Sequence, residues 1–186
     1  AFINEDNLSG DRAFGGAGSD TLVIDFGDGT KNWGSYRILE GTVSGVETLR
    51  IVDTKNSYVY VPADIWNNFD SVDIPLHPQS WNLALRGLNI SGGGLDNLSF
   101  SSVSASSFAY EINLTGAFDA IDLTRNPAIN SQYAGDQWNR VYVDADFGSL
   151  TASADADRIQ LRRGGEFNVS LGGGDDTLYL DRPITG

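Results

Sequence analysis

The chain has 186 residues, among them 22 Gly, 9 Phe, 7 Tyr and 4 Trp, with no Cys and no Met. Its 25 acidic residues outnumber 12 basic ones, a formal net charge of −13, which suits divalent cations and disfavours nucleic acid, whose affinity comes mainly from neutralised phosphates. The lack of Cys excludes disulfides, zinc-thiolate sites and a Cys nucleophile, and no apolar run nears the roughly 20 residues of a membrane span.

The first residues, Ala1 to Asp6, carry no signal-peptide pattern, and the missing initiator Met predicts a processed product or an excised piece. From there one short unit recurs seven times: an acidic residue followed by apolar residues two and four positions on. It reads Asp20-Thr-Leu22-Val-Ile24, Glu47-Thr-Leu49-Arg-Ile51 and Asp70-Ser-Val72-Asp-Ile74. Asp96-Asn-Leu98-Ser-Phe100 and Asp119-Ala-Ile121-Asp-Leu123 follow, then Asp157-Arg-Ile159-Gln-Leu161 and Asp176-Thr-Leu178-Tyr-Leu180. The intervals between acidic positions are 27, 23, 26, 23, 38 and 19 residues, the range of solenoid coils.

A second alternating strand precedes most copies, at Val59 and Val61, Leu83 and Leu85, Ile112 and Leu114, Val141 and Val143, and Phe167 and Val169. Period-2 alternation puts one apolar row inside and its neighbours outside. The expected fold is therefore all-β: a parallel β-solenoid of about seven coils, one domain over residues 1–186. Pro62 to Phe69 predicts a short helix with Pro in its first turn. Residues 126–138 are turn-rich and predict a long surface loop inserted in the solenoid.

Gly15-Gly-Ala-Gly18-Ser-Asp20-Thr-Leu22-Val23 fits the nonapeptide G-G-x-G-x-D-x-U-x at every specified position. Ser91-Gly92-Gly-Gly94-Leu95-Asp96 and Leu171-Gly172-Gly-Gly174-Asp175-Asp176 depart from it only at the first Gly. These turns resemble the calcium-binding repeats of RTX (hemolysin-type) proteins. Asp11, nine residues before Asp20, resembles the tail of a preceding repeat, so the array is expected to continue upstream. The remaining coils look like the degenerate coils of secreted bacterial surface-layer proteins that carry such repeats. The resemblance implies a β-roll, secretion to the cell surface, and Ca2+ held between neighbouring turns.

Elementary chemistry agrees with that implication. Glycine lets the turn backbone aim its carbonyls at an ion, and aspartate supplies the charged oxygen Ca2+ prefers. Parallel strands lie about 4.8 Å apart, where two stacked carboxylates repel by roughly 3 kcal/mol at an effective dielectric near 20. A cation relieves that repulsion. The residue before the acidic position divides the copies: Ser19, Ala156 and Asp175 leave room for an ion, whereas Val46, Phe69, Leu95 and Phe118 predict a dry turn. Candidate metal ligands are thus Asp11, Gly16, Gly18 and Asp20 at one end. Asp155, Asp157, Gly172, Gly174, Asp175 and Asp176 serve the other end, with Gly92, Gly94 and Asp96 between. Glu47, Asp70 and Asp119 read as turn-capping carboxylates.

No catalytic constellation emerges. His77, the lone histidine, precedes a proline and reads as a loop residue, and no Gly-x-Ser-x-Gly elbow, Walker loop or dinucleotide fingerprint is present. Arg125, Arg140, Arg162 and Arg163 are the basic residues that a calcium-dependent polysaccharide lyase would need. Trp33 and Trp138, in polar loop sequence, keep a carbohydrate-binding module as the alternative. The expected function is a calcium-binding structural or assembly module of a secreted or cell-surface, S-layer or adhesin-like protein. Its expected partners are further copies or neighbouring domains of its parent, with polysaccharide as a second partner class and neither nucleic acid nor membrane insertion.

Overall fold

The structure is a computed structural model that describes residues 2–3, 11–26, 36–39, 41–52, 57–73, 85–94, 96–100, 104–105, 109–124 and 140–182. Leu83, Leu95, His77, Trp33, Trp81, Trp138, Arg125 and the expected insertion at 126–138 lie outside the described residues. The strands are β1 (Phe2–Ile3), β2 (Asp11–Phe14), β3 (Thr21–Asp25), β4 (Tyr36–Ile38), β5 (Gly41–Ser44), β6 (Thr48–Val52), β7 (Tyr58–Pro62) and β8 (Ser71–Asp73). After these come β9 (Leu85–Ser91), β10 (Asp96–Ser99), β11 (Ser104–Ala105), β12 (Ala109–Asp122), β13 (Arg140–Thr151), β14 (Arg158–Leu161), β15 (Asn168–Ser170) and β16 (Thr177–Leu180). One short helix, α1 (Ala63–Trp66), follows Pro62, as the proline predicts.

The described strand pairings are all parallel. A five-stranded sheet runs β1-β3-β6-β8-β11, and a nine-stranded sheet runs β16-β14-β13-β12-β9-β7-β4, with β10 and β15 joined to β12 and β13. Strands β2 and β5 form a small third sheet. Parallel neighbours far apart in sequence mean that the chain winds round and returns beside itself. The fold is a β-solenoid.

Its core is built from columns of equivalent apolar residues. Leu22, Leu49 and Val72 align in the first sheet. Val59, Leu88, Ile112, Val141, Ile159 and Leu178 align in the second, beside Val61, Ile90, Leu114, Val143, Leu161 and Leu180. A further column holds Leu98, Ile121, Leu150 and Val169. Nearly all are fully buried, which at about 25 cal/mol per Å² of apolar surface makes these columns the main source of stability. Trp66, also buried, packs on Phe100 with ring centroids 5.2 Å apart.

Strands β12 and β13 each contribute to two columns because they bend part-way. In β12 the bend falls at Gly116, whose φ of 102° is open to glycine and costly for other residues. Ile112 and Leu114 face the core before the bend, Ile121 and Leu123 after it.

Two expectations fail here. The seven copies of the acidic unit do not form a single stack, so they do not count coils, and seven coils is not supported. Copies one to three share the first sheet, copies four and five pair through β10 and β12, and copies six and seven pair through β14 and β16. A turn followed by an alternating strand is a local solution, and the chain uses it on different sides of the coil. Second, Val59 and Val61 are continued by Leu88 and Ile90, which the alternation did not mark out. Likewise Val141 and Val143 are continued by Ile159 and Leu161, while Val169 joins Leu150. Both alternations satisfy a period of two, and only packing chooses between them. In β9 the choice also places Gly87 under the ring of Tyr58, where a Cβ would lie 2.6 Å from the ring.

Candidate metal-binding turns

Three sets of turns stack along the solenoid, and each contains one of the glycine-rich sequences. In the first, Asp20 Oδ2 accepts the Gly16 N–H at 2.8 Å, closing its own turn. The Asp20 N–H donates to Glu47 Oε2 at 2.8 Å, 27 residues on, and Thr48 N–H donates back to Asp20 O at 3.1 Å. Glu47 is therefore a cap, as expected, but it caps the neighbouring coil. Asp70 N–H donates to the Glu47 carbonyl at 2.8 Å. Asp11 lies in β2, paired with Gly41, one strand before this turn.

In the middle set, Asp96 Oδ2 accepts the Gly93 N–H, and Gly92 N–H donates to Thr115 O at 2.9 Å. Asp96 thus closes its turn as Asp20 does. Phe118 of the adjoining turn is buried, as are Val46 and Phe69 in the first set, whereas Ser19, Ala156 and Asp175 are exposed. Among the described residues, the apolar residues before the acidic position are thus buried and the small or polar ones exposed.

The last set brings together Ser153–Asp157 and Gly172–Asp176. The Asp157 carboxylate is folded inward: its Oδ2 accepts Ser153 N–H at 2.7 Å and Ser153 Oγ–H at 2.9 Å. The hydroxyl in turn accepts Asp155 N–H at 3.1 Å. From the next coil, Asp176 Oδ1 accepts the Asp157 N–H at 2.9 Å, 19 residues away. Thr177 N–H closes the relation on Asp157 O at 2.7 Å. The turns approach so closely that a Cβ on Gly172, where φ is 80°, would lie 1.9 Å from Ser153 O. Gly18, Gly94 and Gly174 share the left-handed backbone.

Asp157 differs from the other turn carboxylates. Its relative exposure is 0%, and its Oδ1 is buried without a hydrogen-bond partner among the described residues. Burial pushes its carboxyl above the usual carboxylate range. The bonds from Ser153 oppose that rise, while the nearby charges of Asp176 and Asp155 add to it. An orphan carboxylate oxygen in such a place is costly, and a hard cation relieves both the desolvation and the repulsion. The oxygen donors therefore fit Ca2+ in kind. They do not form a complete carboxylate cage, since no group of three or more His, Cys, Asp or Glu side chains converges on a common point among the described residues. An ion here would draw further ligands from turn carbonyls and water, as Ca2+ commonly does.

Ser153 was not singled out by sequence. The signal was available: Ser153-Ala-Asp155-Ala-Asp157 stands in the same phase as Gly172-Gly-Gly174-Asp175-Asp176, with Ser in place of the first Gly. Two of the arginines weighed for lyase chemistry have structural partners. Arg163 Nε donates to Asp144 at 2.9 Å and Arg163 Nη1 to Asp146 at 3.3 Å, and Arg162 lies over the Tyr142 ring, 4.1 Å from its centroid. No described helix is long and apolar enough to cross a membrane. No family model matches the chain, and no match is found among curated proteins or solved structures.

Proposed function

We propose that this chain is a calcium-binding structural module of a secreted or cell-surface bacterial protein, of the S-layer or adhesin kind, which assembles through its solenoid. The observation that carries the reading is the buried, unpartnered Asp157 Oδ1 beside Asp155 and Asp176. Asp155, Asp157, Asp175 and Asp176 would hold the ion, with the carbonyls of the Gly172 and Gly174 turn. Bound Ca2+ supplies the positive charge that lets carboxylates of successive turns stack. The resemblance of the Gly15–Val23 and Gly172–Tyr179 turns to RTX repeats supports the same ion.

Assembly draws on the far edge of the nine-stranded sheet. Among the described strands β16 is the outermost of this sheet, and Leu180, which continues a buried column, is 48% exposed. An open edge with a partly bare core column favours a further parallel strand, from an adjoining segment or another copy. The test is a calcium titration of the purified chain, followed by thermal melting and light scattering. Melting that rises with Ca2+ and falls with chelator, together with growth of ordered oligomers, supports the reading. A melting curve indifferent to both, in a strictly monomeric protein, contradicts it.

A further inference from the structure

The outward side of the nine-stranded sheet carries a second regularity that the calcium reading does not use. Strand register aligns Tyr60, Asn89, Asn113, Tyr142, Gln160 and Tyr179 in one solvent-facing column. Neighbours are about 4.8 Å apart, so the column spans roughly 24 Å. Its two end rings are the most open: Tyr60 is 41% and Tyr179 37% exposed. Asn89, Asn113, Tyr142 and Gln160 between them are half-buried, and Arg162 covers one face of the Tyr142 ring.

We propose that this column binds a linear, uncharged polysaccharide laid along the solenoid axis. Tyrosine rings present an apolar face at small conformational cost and suit the C–H faces of sugar rings. Amides between them donate and accept at once, matching hydroxyls that do the same. A one-residue-per-strand repeat on the protein suits a polymer that repeats its own functional groups along its length. Charge selects the uncharged class. The chain is strongly acidic, and two nearby cations are engaged: Arg163 by Asp144 and Asp146, Arg162 by the Tyr142 ring. Gln160 is held in place through its Nε2 by Asp181, at 2.8 and 2.9 Å to the two carboxylate oxygens. A polyanion would meet repulsion from the net charge of −13.

The proposal is independent of Ca2+ and of Trp33 and Trp138. Affinity electrophoresis in EDTA tests it, through gels containing hydroxyethyl cellulose, soluble xylan, glucomannan or dextran, with alginate as the polyanionic comparison. Retardation is expected in at least one neutral gel and not in alginate. Tyr60→Ala with Tyr179→Ala should abolish it, at roughly tenfold weaker binding per ring removed. Asn89→Ala with Asn113→Ala gives a second variant that leaves both rings in place, and it should also weaken retention while circular dichroism is unchanged. Migration unaffected by every neutral polymer, retardation that survives both double variants, or retardation by alginate alone would each overturn the proposal.

Discussion

The backbone N–H of Asp157 donates to the carboxylate of Asp176 at 2.9 Å, so the acidic residue of one turn caps the acidic residue of the turn before it. Asp20 and Glu47 repeat the relation at 2.8 Å near the other end of the solenoid. Acidic side chains therefore perform a structural task whether or not an ion is present. A substitution at Asp176 consequently has two separable effects, one on the cap and one on the ion.

The cap is tested without calcium. In chelator, Asp176→Ala leaves the partly buried Asp157 N–H without its acceptor, and stability should fall by about 1–3 kcal/mol. Asp176→Asn keeps an acceptor oxygen and should recover most of that loss. Urea denaturation of the three proteins measures it. Equal losses in Ala and Asn variants would show that the N–H bond is not what Asp176 contributes.

Calcium should add to stability by mass action, about 2.7 kcal/mol at a hundredfold excess over the dissociation constant. Mg2+, which demands octahedral geometry and loses water reluctantly, should substitute poorly. Thermal melting in each metal is the measurement. Equal stabilisation by the two ions would point to general screening of a net charge of −13.

Asp157 makes stability depend on pH in a particular direction. Its folded-state carboxyl is raised by burial, so just above the ordinary value of about 3.9 the folded chain holds a proton that the unfolded chain has released. Its contribution is favourable at low pH and is lost as pH rises through the raised folded value. In chelator, Asp157→Asn should flatten this part of the profile, so that wild type gains stability relative to the variant toward acid. Denaturation curves from about pH 4 to pH 7 read the slope directly, and identical slopes would refute the assignment.

The core columns predict a contrast between equivalent leucines. Leu161 is fully buried, whereas its neighbour in register, Leu180, is 48% exposed. Leu161→Ala should cost about 2–5 kcal/mol, and Leu180→Ala much less in the isolated chain. Similar losses at both positions, measured by denaturation, would mean that the outer edge is already covered in solution.

The all-β class, the parallel solenoid and the short helix after Pro62 were legible because alternation, glycine turns and proline act locally. The pairing of copies was less so. Leu88 and Ile90, which stack on Val59 and Val61, lie in a run where several residues satisfy the same alternation. The turn carboxylates were visible as a class, and of the residues that precede them Phe69 and Phe118 are buried while Ser19 and Asp175 are exposed. Sequence could not reveal that Asp157 alone turns fully inward, because that depends on Ser153 and on the coil 19 residues away.

Counting bound ions distinguishes calcium ligands from caps. Wild type, Asp157→Ala, Asp176→Ala and Asp70→Ala would be equilibrated with Ca2+, passed through a desalting column and assayed by elemental mass spectrometry, with circular dichroism to confirm folding. Calcium should be retained by wild type and by Asp70→Ala, where Phe69 beside the turn is buried, and lost from Asp157→Ala and Asp176→Ala. Retention by all four proteins, or no retained calcium in wild type, would contradict the calcium reading.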